Sequence, residues 1–80
     1  MKLLILGAGG NSGLRLVRMG LAAGHDVTAF VRNESKFKDQ LAMANPKGLT
    51  IRTGDVTDEI ALAAAMSGQN AVINAAGNAT

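Results

Sequence analysis

Short apolar runs alternate along the chain with longer stretches in which apolar positions recur every three or four residues. Lys2-Leu3-Leu4-Ile5-Leu6 predicts a first strand. A first helix is expected from about Asn11 to Ala23, with Leu14, Leu16, Val17 and Leu21 on its apolar face and Gly24 as its stop. Asp26 to Val31 runs apolar again, as a second strand. A second helix follows from Glu34 to about Ala44, capped by Asn33 and ended by Asn45-Pro46. Leu49 to Thr53 predicts a third strand. Thr57 is a cap for a third helix that carries Asp58 and Glu59 in its first turn and closes at Gly68. Ala71 to Ala75 is a fourth strand.

Strand, helix, strand, helix, strand, helix, strand implies an α/β fold, with right-handed crossovers joining parallel strands. The expected order is 3-2-1-4, part of a doubly wound sheet whose site lies where the order reverses, at the carboxyl ends of strands one and four. Strand four is apolar on both faces, as strands inside a parallel sheet are. An apolar strand left at an edge invites aggregation, so residues 1–80 are expected to be the N-terminal part of a longer protein.

Composition removes several alternatives. Eighty residues make one small domain, which buries roughly 60% of its unfolded surface. There is no cysteine, so disulfides and thiolate metal sites are excluded. The apolar run before the glycines is too short for a signal peptide or a membrane span, and a reducing cytoplasm is the expected compartment. The net charge is +2, its cations are scattered, and there is no tryptophan or tyrosine, so neither a nucleic-acid nor a membrane partner is indicated. The methionines, Met19, Met43 and Met66 among them, read as helix packing, and His25 as structural.

The chemistry concentrates between the first strand and the first helix, at Gly7-Ala8-Gly9-Gly10-Asn11-Ser12-Gly13. A strand, a glycine-rich turn and a helix start make a site for a dinucleotide pyrophosphate. The turn bends sharply, admits the phosphates to the backbone, and aims the helix N-terminus at their charge. Gly-x-Gly-x-x-Gly counted from Gly7 fails at Ser12, whereas Gly-x-x-Gly-x-x-Gly fits Gly7, Gly10 and Gly13. In this reading Gly7 makes the turn, Gly10 lets the phosphates approach, and Gly13 lets the helix pack on the strand. Asn11 and Ser12 offer N–H groups at the helix start. Arg15 and Arg18 share a helix face that reads as solvated, with Arg15 near enough to the turn to reach phosphate.

The end of the second strand bears on which dinucleotide is bound. An NAD site usually places an acidic residue there for the ribose 2′-hydroxyl. Here Arg32 stands in that position, with Asn33, Ser35 and Lys36 as further donors, so NADP (NADPH) is expected over NAD. Asp55 has two readings, an acceptor for the adenine amino group with Val56 packed on the ring, or a loop carboxylate that helps start helix three. Asn74 either faces the site or satisfies backbone groups. The small residues Ala75, Ala76 and Gly77 leave room for ribose and phosphate.

Gly7 to Gly13, Val27 to Asn33, Gly54-Asp55-Val56 and Asn70-Ala71-Val72-Ile73 together resemble the atypical short-chain dehydrogenase/reductases. The likeness is to the NmrA-like, NAD(P)H-binding group that includes flavin and biliverdin reductases. The resemblance implies a Rossmann-type domain, NADP held through Gly7, Gly10, Gly13 and Arg32, and adenine contacts from Asp55 and Val56. Family members are much longer. The Tyr-x-x-x-Lys pair of many short-chain reductases is absent, since the chain has no tyrosine. The resemblance implies an NADP(H)-dependent oxidoreductase whose small-molecule substrate is met by residues after Thr80. A homo-oligomer is allowed, and no catalytic or metal-ligating residue is assigned in residues 1–80. A non-catalytic NADP(H) sensor is the alternative. An NAD-dependent sugar-nucleotide epimerase or dehydratase is a weaker one, because such enzymes typically carry an acidic residue where Arg32 stands.

Overall fold

The computed structural model describes residues 1–43 and 46–75. Its elements are β1 (Lys2–Leu6), α1 (Asn11–Ala22), β2 (Asp26–Val31), α2 (Glu34–Leu41), β3 (Leu49–Thr53), α3 (Glu59–Met66) and β4 (Ala71–Asn74). The strands form one parallel sheet in the order β3-β2-β1-β4, as the alternation predicts. Leu4 pairs with Thr28 and Val72, and Leu6 with Phe30 and Asn74, which brings the carboxyl ends of the strands to one edge. Ala75 carries the pairing with β1 one hydrogen bond beyond β4, its N–H donating to the Leu6 carbonyl at 2.9 Å.

Because successive side chains of a strand point to opposite faces, the sheet has two unlike surfaces. Ile5, Val27, Ala29 and Val31 pack with Leu14 and Val17 of α1 and Phe37 and Leu41 of α2. Leu4, Leu6 and Phe30 pack against Ala65 of α3. Burying a side chain such as Phe30 contributes about 1.5–3 kcal/mol relative to leaving it in water. The α1–α2 side is the more completely covered. On the α3 side, Ile60 is 84% exposed and Val72 41%.

Four local expectations are corrected. The buried residues of α1 are Gly13, Leu14, Val17 and Gly20, a stripe that turns Met19 outward. Met19, Met43 and Met66 are all exposed rather than packed. Arg18 is exposed, but its guanidinium is not left to solvent alone. Its Nη2 donates to the carbonyls of Gln40 and Leu41 at 3.0 and 3.2 Å, closing the C-terminus of α2. There α2 ends, with Ala42 left-handed at φ 55°, short of the expected Ala44. Finally, Asp58 and not Thr57 caps α3, accepting from the N–H groups of Ile60 and Ala61 at 3.1 and 3.2 Å. Thr57 is engaged elsewhere: its N–H and hydroxyl both bond Asp55.

Candidate functional site

The glycine turn is built from backbone constraints. Gly7 adopts φ 69°, a region that L side chains rarely enter, and its carbonyl accepts from the Gly10 N–H at 3.2 Å. Gly13 is buried against the turn, and a Cβ there would stand 2.6 Å from the Ala8 Cα. Gly10 differs from both. A Cβ on it would meet nothing nearer than the Gly7 carbonyl at 3.8 Å, so the protein's own packing does not require glycine at this position.

Gly10 is the N-cap of α1 and therefore supplies no capping side chain, and the first turn carries no acidic residue. The first helical bond is Leu14 N–H to the Gly10 carbonyl at 2.8 Å. The N–H groups of Asn11, Ser12 and Gly13 precede it and have no acceptor among the described residues. An uncapped helix start concentrates unpaired donors and the positive end of the helix dipole. The other two helices close theirs: Asn33 accepts from Lys36 N–H at 3.0 Å on α2, and Asp58 caps α3.

Three loops meet beside this helix start. The Ala8 N–H reaches the Phe30 carbonyl at 3.5 Å, and the Gly54 N–H the Val31 carbonyl at 2.9 Å, so the ends of β1, β2 and β3 are tied together. They enclose a cleft of about 410 Å³, within the usual range of ligand pockets. Gly7, Gly10, Arg32, Asn33, Lys36 and Val56 line it. Phe30 and Gly54 also line it, and a Cβ on Gly54 would lie 2.8 Å from the buried Phe30 ring, so the packing requires glycine there.

Not all the expected residues share this cleft. Asn11 and Ser12 face a separate shallow depression with Arg15 and Leu16. Ser35 is exposed away from the lining. Ala75 extends the sheet pairing, and Ala76 and Gly77 lie outside the described residues. The cleft lies over the ends of β1, β2 and β3, one strand to the side of the β1–β4 switch point expected from the topology. Sequence reasoning overlooked Gly9, Phe30, Val31, Phe37, Gln40 and Gly54 as lining residues. Only Gly54 carried a signal, a glycine directly after a strand and level with the phosphate turn.

Asp55 stands at the rim. Its Oδ1 accepts from the Thr57 N–H and from the Thr57 hydroxyl, both at 2.9 Å. Its Oδ2 faces Arg32 Nε at 3.8 Å. The Thr57 N–H, then the Thr57 hydroxyl, hold the Asp55 carboxyl below its ordinary value; slight desolvation opposes them, and Arg32 adds a smaller downward pull. The cleft is thus bordered by two cations, Arg32 and Lys36, with one fixed carboxylate beside the first. Among the described residues there is no cluster of metal-ligand type, and no helix long and apolar enough to cross a membrane.

Known proteins are similar to this chain. A model of an NAD(P)H-binding family matches residues 7–80. A probable pinoresinol-lariciresinol reductase 3 of Arabidopsis thaliana is 36% identical over 74 residues, covering 92% of this chain and 24% of the relative. A Rossmann-fold NAD(P)-binding family protein from Shigella flexneri superposes with a TM-score of 0.78 at 31% identity, over 91% of this chain and 36% of that one. The chain thus spans about a quarter of the curated relative and about a third of the solved structure. With its glycine turn, its parallel sheet and a family match over nearly its whole length, the chain belongs to the NAD(P)H-binding family and carries a Rossmann-type fold.

Proposed function

We propose that these residues are the cofactor-binding module of an NADP(H)-dependent oxidoreductase of the atypical short-chain reductase type. The observation that carries the reading is that α1 starts uncapped at Gly10, and that Gly10 lines the same cleft as Arg32. The three unpaired N–H groups and the helix dipole suit a pyrophosphate, and Gly10 leaves open the space that a phosphate needs. Arg32 at the end of β2, with Lys36 one helical turn beyond it, suits the ribose 2′-phosphate. Val56, 38% exposed and beside the bare backbone of Gly54 in the lining, suits an adenine ring.

The donor set therefore fits the adenosine half of the dinucleotide. When bound, the nicotinamide supplies the hydride chemistry. This chain's residues bind and orient the other end. Similarity to a probable reductase supports an oxidoreductase role for the whole protein, with a small-molecule substrate met by residues beyond those described.

Calorimetric titration with NADPH and NADH tests the reading. NADPH is expected to bind more tightly, and Arg32→Ala to weaken it by about 10- to 100-fold, as the loss of a charge-assisted contact to phosphate does, with NADH little affected. Equal binding of the two cofactors, unchanged by Arg32→Ala, would remove the NADP assignment. No binding of either would remove the module assignment.

A further inference from the structure

The ion pair at the rim is asymmetric. Asp55 is fixed, because one of its oxygens takes two hydrogen bonds from Thr57 and the residue after Thr57 caps α3. Arg32 is long and 81% exposed in its side chain. It meets the carboxylate through Nε, and its two terminal nitrogens have no partner among the described residues. An unrestrained arginine loses rotamer freedom whenever it grips a ligand. A guanidinium already steered by a fixed carboxylate loses less, and contact at Nε leaves the terminal fork for a phosphate.

Resting on the dinucleotide reading above, we infer that Asp55, locked by Thr57, is a positioning residue for Arg32 and raises the preference for a 2′-phosphorylated dinucleotide. The ligand group is a phosphate monoester dianion on a ribose. A carboxylate near that dianion also repels it, which acts in the opposite direction, so the sign of the effect is diagnostic. Adenine and pyrophosphate are common to NADPH and NADH. The ratio of the two affinities therefore isolates the 2′-phosphate from any contact of Asp55 with the base.

The experiment is titration of NADPH and NADH against the wild-type protein, Asp55→Asn, Thr57→Val, Arg32→Ala and the double variant Arg32→Ala/Asp55→Asn. The wild-type NADPH:NADH affinity ratio is expected to fall about threefold in Asp55→Asn, the scale of an exposed ion pair. It should fall less, in the same direction, in Thr57→Val. In the Arg32→Ala background, Asp55→Asn should leave the ratio where it is.

A ratio that stays constant or rises in Asp55→Asn overturns the inference, including the case in which both cofactors weaken equally because Asp55 touches only adenine. A fall that persists without Arg32 overturns it as well. These outcomes leave the module assignment standing. If the wild-type protein binds neither cofactor, both readings fail.

Discussion

Helices α1 and α3 start at the same edge of the sheet, each after the carboxyl end of a strand, and they are finished in opposite ways. The start of α3 is closed by the chain itself: Asp58 accepts two of its N–H groups and Glu59 adds a carboxylate to the first turn. The start of α1 has glycine as its cap, no acid in the first turn and three donors without acceptors among the described residues. A helix end left open beside a cleft marks a place where a ligand completes the structure, whereas a closed one is a structural join. The glycines divide in the same way. Gly7 and Gly13 are dictated by φ and by contact within the protein, but Gly10 is not. Within the proposed function, the open space at position 10 is left for the ligand's phosphates.

The comparison can be broken most severely at Gly13. Gly13→Val forces side-chain atoms into the Ala8 backbone and is expected to cost at least about 3 kcal/mol, close to the whole stability of a small domain. A urea melt followed by circular dichroism should show an unfolded or barely cooperative chain. Asp58→Ala sharpens the contrast. Loss of the cap should cost about 1 kcal/mol of stability and leave NADPH affinity within about twofold, since Asp58 does not line the cleft.

The smallest effect concerns acid. The Asp55 carboxyl is lowered in the folded protein, so its contribution is present at neutral pH and lost as pH falls through its native value. Melting temperature measured between about pH 6 and pH 2 should fall less steeply at the acid end in Asp55→Asn than in the wild type.

Much of this was legible in the residues, for identifiable reasons. The βα alternation and the right-handed crossover rule allow few sheet orders, and 3-2-1-4 is the one observed. The Gly7, Gly10, Gly13 spacing was readable because backbone geometry admits nothing else at two of those positions. The misreadings arose where distant or adjacent groups compete. Thr57 and Asp58 are both good cap formers, and the choice was made by Asp55, which occupies the Thr57 N–H and hydroxyl. The end of α2 depends on Arg18, which reaches it from another helix. No side-chain preference announces a left-handed Ala42. Gly54 escaped notice as a lining residue because the Phe30 ring that excludes a side chain there comes from a neighbouring strand.

The most direct test is Gly10→Asp, read by thermal melting and by NADPH titration on the same sample. The backbone at position 10, φ −82° and ψ 170°, accepts any residue, so aspartate can give α1 the kind of cap that α3 already has. The account predicts opposite signs: a stability gain of about 0.5 kcal/mol from the new cap and its charge, and an NADPH affinity lowered at least about tenfold as that carboxylate takes the phosphate's place. Higher stability with undiminished NADPH affinity would contradict the claim that the open start of α1 is where the pyrophosphate is held.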